Sequence, residues 1–393
     1  MNFSILNRAI FFQLFAIISL LMIIPALIAF LERDYFVART FLYCSCGGVI
    51  VYTLIAIALS NVLKVQNNFE KLLSFILSYF FLPIFMALPL VLSVAEVGLI
   101  DAWLEMVSSF TTTGLIITNL EIFSGSALRL WFGMVSWIGG IFFWICAISI
   151  LLPLNINRFE TGVNDFLDGS SIKGHEGNSV ISNARHLIPI YLIITIALWL
   201  FLTLVGMSGF QALLMAMSVI STSGFDTLSD EIPKIFIIEG IILIFFVFAL
   251  SKSLFFRDIN DIRKFRFFTD PEIRLALIII LAVAGLFYAK SIFALSSENI
   301  DINILVLLKH LWGIFFTVTS YLVTMGIESK VWSDYPSFAL AEVSAVSVMG
   351  LAIIGGGVAT TAGGVKLLRV YILYRNAAQE VDMMLHPNSI PSK

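Results

Sequence analysis

The chain has 393 residues, 59% of them hydrophobic and only 12% charged, with a formal net charge of −3. So few charged side chains cannot coat a soluble domain of this length, and a lipid bilayer must serve as the solvent. The composition offers no reason to expect a nucleic-acid partner.

In chain order, apolar stretches run from Ala9 to Phe30, Phe41 to Leu59, Leu73 to Val94, Leu128 to Leu152, Leu187 to Gly206, Ile235 to Leu250, Leu275 to Tyr288 and Phe338 to Ile354. Most are long enough, alone or with their flanks, to cross about 30 Å of hydrocarbon as helices. The first has only Arg8 before it and no small-residue cleavage site, so it reads as a retained helix rather than a signal peptide. Cys44, Cys46 and Cys146 fall in apolar segments without a second pair or a neighbouring His, and read as small membrane-buried side chains. His175, His186, His310 and His386 are scattered, and no chemistry is assigned to them.

Charge sets the topology, because loops rich in Lys and Arg stay in the cytoplasm. With the N-terminus inside and the helices alternating, sixteen of the 23 basic residues but only eleven of the 26 acidic ones lie on the cytoplasmic side. The outer face is therefore acidic, which concentrates cations at a pore mouth without naming one.

The informative feature is a repeat. Met106-Val-Ser-Ser-Phe-Thr-Thr-Thr-Gly114, Ala216-Met-Ser-Val-Ile-Ser-Thr-Ser-Gly224 and Val318-Thr-Ser-Tyr-Leu-Val-Thr-Met-Gly326 share one register. Each has a serine six residues before its glycine (Ser108, Ser218, Ser320) and a threonine two before (Thr112, Thr222, Thr324). Each also sits between two apolar helices, after a short amphipathic run too brief to cross a bilayer. That arrangement is a re-entrant pore loop, and non-helical backbone survives at membrane depth only where protein buries it or it lines a watery cavity. Glycine lets successive carbonyls turn toward one axis, while the short hydroxyls anchor the loop or coordinate an ion. The expected ion filter is Thr111, Thr112, Thr113 and Gly114, then Ser221, Thr222, Ser223 and Gly224, then Val323, Thr324, Met325 and Gly326. One such segment could be mere helix packing; three in matching contexts specify a pore.

These residues resemble the Trk/Ktr/HKT superfamily of potassium transporters, most closely the bacterial Trk-type membrane subunit, over nearly the whole chain. Asp101-Ala-Trp-Leu-Glu105 leading into the first filter, Trp137-Ile-Gly-Gly140 after it and Ser221-Thr-Ser-Gly-Phe225 all look like family motifs. So do Gly355-Gly-Gly-Val-Ala-Thr-Thr-Ala-Gly-Gly-Val-Lys366 and the tail Leu385-His-Pro-Asn388. The resemblance implies potassium as the substrate, held at the filter residues, no cofactor and no enzymatic activity.

The glycine-rich run should break the helix that begins near Phe338. By itself it reads either as close helix packing or as a movable segment, and the resemblance implies a gate under the filter made of Gly355, Gly356, Gly357, Thr360, Thr361, Gly363, Gly364 and Lys366. A phosphate-binding loop is excluded, since no strand precedes it and the Walker spacing is not met. The resemblance further implies a homo-oligomer in lipid, and a separate cytosolic nucleotide-binding regulatory subunit docking on the basic loop Arg257–Arg274 or on the tail after Lys366.

The sequence departs from the family in several places. The third filter has Val323 and Met325 where hydroxyls are expected, Phe132 stands where arginine is usual with Arg129 nearby, and Ala359 and Ala362 replace glycines. Only three of the family's four pore units are present, so a separate chain supplying the fourth is a candidate partner. The expected fold is an all-α polytopic membrane protein: two leading transmembrane helices (1–70), pore units at 71–153, 186–252 and 273–365, and a cytoplasmic tail (366–393). The expected function is potassium uptake through a carbonyl-lined pore in a bacterial inner membrane. The alternative is a truncated or split nonconducting or regulatory subunit that needs another chain.

Overall fold

The computed structural model describes residues 10–58, 68–115, 125–151, 180–225, 234–250, 271–297, 304–331, 345–358 and 360–386. All regular structure among them is helical. Six helices are long and apolar enough to cross a membrane: Phe11–Leu31, Tyr35–Ala58, Phe69–Ser93, Ser126–Ser149, Ser182–Val205 and Glu272–Ile292. The described residues form two compact units, one up to Leu187 and one from Ile188 onward.

The first unit opens with α1 (Ile10–Leu21) and α2 (Ile23–Leu31), one apolar span interrupted at Met22. Pro25 explains the break, because its ring crowds the carbonyl four residues earlier, that of Leu21. The turn that follows closes one helix and opens the next. Arg33 takes a left-handed φ of 64°, the amides of Arg33 and Asp34 bond back to Phe30 and Ala29, and the Asp34 carboxylate accepts from the Val37 amide at 3.2 Å. This starts α3 (Tyr35–Ala58), which packs back on α1 and α2. A methyl at Gly48 would fall 2.3 Å from Ser19 Oγ and 2.5 Å from a Phe85 ring carbon, so the missing side chain is what lets these helices approach.

Next come α4 (Asn68–Ser93), the short pore helix α5 (Leu99–Phe110) and α6 (Ser126–Cys146), which ends in a π-turn at Ala147–Leu151. Helix α6 is the interior element: 72% of its span is buried, against 17–44% for the other five. Trp131 on α6 donates its indole N–H to the Met86 carbonyl of α4 at 3.1 Å. Phe132, in the position where arginine was expected, is buried here, while Arg129 one turn earlier is exposed.

In the second unit α7 (Val180–Val205, with residues from 188) ends at Gly206, whose φ of 122° only glycine adopts readily. Two residues later Ser208 caps the pore helix α8 (Gly209–Ser221): its hydroxyl accepts from the Gln211 amide at 3.4 Å and donates to the Gln211 side chain at 2.9 Å. Then follow α9 (Ile235–Leu250), α10 (Pro271–Ser297), α11 (Ile304–Leu322), α12 (Ala345–Ile354) and α13 (Leu367–Leu385).

The apolar stretch from Leu275 to Tyr288 spans with its flanks, in a 27-residue helix, because Pro271 starts it and Arg274 and Lys290 interrupt the apolar run without breaking the helix. One expectation needs correcting: the third pore helix is not short, since α11 has 19 residues against 12 and 13 for α5 and α8, and its first turns present exposed Ile304, Leu305, Leu308 and Leu311. Of the helix expected from Phe338, the part before Ala345 lies outside the described residues, as does the basic loop from Arg257 up to residue 270.

Candidate functional site: three Thr-x-Gly loops and a glycine-rich latch

Each pore helix ends in the same backbone device. Thr112, Thr222 and Thr324 have φ of 55°, 53° and 60°, and the glycines two residues on, Gly114, Gly224 and Gly326, have φ of 70°, 73° and 75°. The residues between them, Thr113, Ser223 and Met325, lie outside the positive-φ region. Their amides bond back to the carbonyls of Ser108, Ser218 and Ser320 at 2.9, 3.0 and 2.9 Å, the closing bond of a Schellman cap. A β-branched residue in the left-handed region is a conformational outlier that costs about 1–2 kcal/mol. Three threonines hold it at one register, so the strain sits where the sequence repeat sits. Successive peptides whose φ alternates in sign can turn their amides to one face of a segment and their carbonyls to the other.

The hydroxyls turn mostly to the protein itself. Ser108 Oγ donates to the Leu115 carbonyl at 2.8 Å, and Ser320 Oγ accepts from the Ile327 amide at 2.9 Å. Both bonds span seven residues, so this serine ties the helix to the segment that follows the Thr-x-Gly loop. Ser218 is fully buried and meets Ser223 Oγ at 3.4 Å. Thr111 Oγ1 donates to Val107 O at 2.8 Å and lies 2.7 Å from Thr113 Oγ1, while Ser221 and Thr222 hydroxyls donate to Met217 O and Ser221 O at 2.8 and 2.7 Å. The sequence left open whether these serines anchor or coordinate; Ser108, Ser218 and Ser320 anchor. In the third loop Val323 and Met325 are buried, as Ser221 and Ser223 are in the second, so apolar side chains fit there.

The first loop stands on an aromatic base. Phe110, the last residue of α5, stacks on Phe142 with centroids 5.7 Å apart and meets Tyr79 at 5.1 Å. Lipid tails are as apolar as phenylalanine, so this cluster acts through shape and ring geometry, about 0.5–1.5 kcal/mol per pair. The motif Trp137-Ile-Gly-Gly140 has its reason here: a methyl on Gly139 would stand 2.0 Å from the Phe110 carbonyl oxygen. In the second unit a methyl on Gly224 would fall 2.6 Å from the Met325 carbonyl oxygen, which makes the second and third loops immediate neighbours.

Below the third loop, the glycine-rich segment folds back on α12. Gly355 and Gly364 have φ of 74° and 81°, and a methyl on Gly364 would lie 2.5 Å from Gly355 Cα. Amides of Val365, Lys366 and Leu367 satisfy the carbonyls of Ile353, Ile354 and Gly356 at 2.8, 2.9 and 3.0 Å, groups that a helix end leaves open. Ala362, where glycine was expected, is buried with its Cβ in the space Gly356 leaves, and Ala359 lies outside the described residues. Close packing is therefore part of what these glycines do.

The same segment is tied to four elements. The Gly357 amide and Thr360 hydroxyl donate to Ala249 O on α9 at 3.0 and 2.9 Å, and the Val358 amide to Glu272 on α10 at 3.1 Å. Thr361 Oγ1 donates to Ile220 O, one residue before the end of α8, at 3.0 Å; the Gly363 amide donates to Thr324 Oγ1 in the third filter at 2.6 Å. Within the segment the Lys366 ammonium folds back onto the Ala362 carbonyl. Ala249, Glu272 and the buried Glu239 carry no local sequence signal and were missed, because their partners lie 73 to 111 residues away.

The fold and these loops define a class: multi-pass helical membrane proteins with repeated re-entrant loops. No family model matches the sequence. The chain is 26% identical over 393 aligned residues to the Trk system potassium uptake protein TrkH of Salmonella typhimurium, covering 94% of this chain and 75% of that protein. It is 27% identical to an uncharacterized cation transporter of Methanocaldococcus jannaschii, across 77% of this chain and 58% of the relative, and 28% identical to TrkH of Halomonas elongata, of which it spans 62%. The crystal structure of the potassium transporter TrkH from Vibrio parahaemolyticus superposes with a TM-score of 0.79 at 23% identity, over 100% of this chain and 79% of that one. The chain is a homologue of the TrkH potassium uptake proteins, with the architecture of a Trk-type membrane subunit.

Proposed function

We propose that the chain takes up potassium, with the ion passing along backbone carbonyls of Thr111–Gly114, Ser221–Gly224 and Val323–Gly326. The observation that carries this reading is the alternating left-handed Thr-x-Gly backbone repeated at one register in three loops. The relatives named as potassium uptake proteins support the choice of ion. The setting is a bacterial inner membrane with the N-terminus in the cytoplasm, in a homo-oligomer answering to a cytosolic nucleotide-binding subunit. The test is growth of a bacterium lacking potassium uptake, at low external potassium, with membrane insertion checked in parallel. Growth supports the reading. Growth only when a second chain supplies a fourth pore unit assigns the chain to the split-subunit alternative. No growth with both chains inserted counts against transport.

In this proposal the segment Gly355–Lys366 is the gate, and its latches set how often it opens. Thr361→Val removes the bond to Ile220 O, and a hydrogen bond of this kind contributes about 0.5–1.5 kcal/mol. Potassium flux per inserted molecule should rise about two- to tenfold with the Na⁺ to K⁺ ratio unchanged. Lower flux per molecule would show that the segment packs rather than gates.

A further inference from the structure

Glu239 lies one turn into α9 and is fully buried. Its carboxyl group accepts from Trp312 Nε1 on α11 at 2.9 Å, from Ser329 Oγ at 2.9 Å and from the Lys330 amide at 2.8 Å. Ser329 and Lys330 belong to the strand that leaves the third filter, three and four residues beyond Gly326. Secondary bonds stiffen the arrangement: the Ser329 amide donates to Thr317 Oγ1 at 3.1 Å, the Val331 amide to Ser329 Oγ at 3.2 Å, and the Phe236 and Trp312 rings lie 4.3 Å apart.

The three filters differ in what holds them. The first has a hydroxyl pair within the loop, Thr111 with Thr113, and the second joins Ser223 to Ser218. The third has Val323 and Met325 at the matching positions and cannot make either bond. It keeps the serine tie, Ser320 to Ile327, as the first loop keeps Ser108 to Leu115, and it is held in addition by Glu239 from α9. An acid buried in a membrane protein is expensive, and apolar side chains of similar volume could fill the space. What they could not do is fix the strand's main chain at two successive residues.

We propose that Glu239 is a positioning residue for the third filter, holding the strand after Gly326 so that the carbonyls of Val323–Gly326 keep the spacing that favours potassium over sodium. This rests on the filter reading above. A filter wall freed at one end closes more easily around a smaller ion, so loss of the brace acts on preference before it acts on flux.

The experiment uses the full chain purified in detergent. The unfolding midpoint is followed against KCl, NaCl and an organic-cation chloride of equal ionic strength, since a bound ion raises the midpoint by mass action. Wild type should be stabilised more by potassium than by sodium. In Glu239→Gln, which keeps the volume but turns an amide N–H₂ toward the donors, that preference should fall by about tenfold in apparent affinity ratio, the scale of one hydrogen bond. Ser329→Ala removes one donor and should lower the preference less, which keeps the test open should Glu239→Gln fail to fold. Leu198→Ala, which empties a buried position on α7, should lower the midpoint in every salt and leave the preference intact, separating a positioning role from general destabilisation. A wild-type preference undiminished in Glu239→Gln, or in Ser329→Ala where Glu239→Gln does not fold, overturns the proposal. Equal stabilisation of wild type by both ions overturns the filter reading and the brace with it.

Discussion

Replacing Gly224 by alanine should abolish potassium uptake while leaving the chain in the membrane. Two independent costs meet at this residue. Its φ of +73° lies in the region where a Cβ crowds the following carbonyl, about 1–2 kcal/mol for an L-residue. The new methyl would also stand 2.6 Å from the Met325 carbonyl oxygen, and that neighbour is main chain of the third filter, which cannot rotate aside. Relief comes only by moving one filter or the other. A misplacement of about 1 Å disables sites built from fixed groups by about a hundredfold, and a fall of that size in uptake per inserted molecule is expected. Gly285→Ala serves as the comparison, since nothing lies within 4 Å of its added methyl. Uptake by Gly224→Ala within a factor of two of Gly285→Ala would remove the second loop from the pathway.

The second large effect is expected at Gly139, where helix propensity and packing point in opposite directions. In the interior of a helix alanine is favoured over glycine by about 1 kcal/mol, so propensity alone makes Gly139→Ala stabilising. Packing reverses the sign. The methyl would sit 2.0 Å from the Phe110 carbonyl oxygen and 2.7 Å from its carbon, and α6 is buried along nearly its whole length. Forcing atoms into a filled interior costs about 1–3 kcal/mol and more when backbone must move. The unfolding midpoint of Gly139→Ala should therefore fall, and uptake with it, because Phe110 directly precedes Thr111 of the first filter. Gly47→Ala on α3, with nothing within 4 Å, should keep or raise the midpoint. A midpoint for Gly139→Ala at or above wild type would show that α5 and α6 are not in this contact.

Much of the site was legible because its requirements are local. Each loop holds two left-handed residues two positions apart, a threonine at the helix end and then a glycine, which adopts that backbone at no steric cost, so Thr112-x-Gly114, Thr222-x-Gly224 and Thr324-x-Gly326 stand out as one short local pattern. The same holds for the apolar spans, which answer to bilayer thickness alone. Helix ends were less legible. Lys290 interrupts the apolar run of α10 but not its hydrogen bonding, and the third pore helix extends through an apolar stretch that reads like any other.

Sequence by itself thus determined the membrane class, the repeat and its register, because each depends on composition or on neighbours within a few residues. Only the tertiary structure decided what the repeated hydroxyls do and what holds the loops in place. Ser108 could have faced an ion or the Leu115 carbonyl, and the choice depends on where the chain turns after Gly114. Val323 and Met325 looked like a loss of polar ligands until their burial placed them behind the loop. Glu239 and Glu272 read as ordinary acids near helix ends, since a carboxyl group 90 residues from Ser329, or 86 from Val358, finds its donor only when the helices between have packed. Hydrogen bonds over such separations leave no periodicity in a sequence, because the partner's position is set by the fold and not by the spacing along the chain.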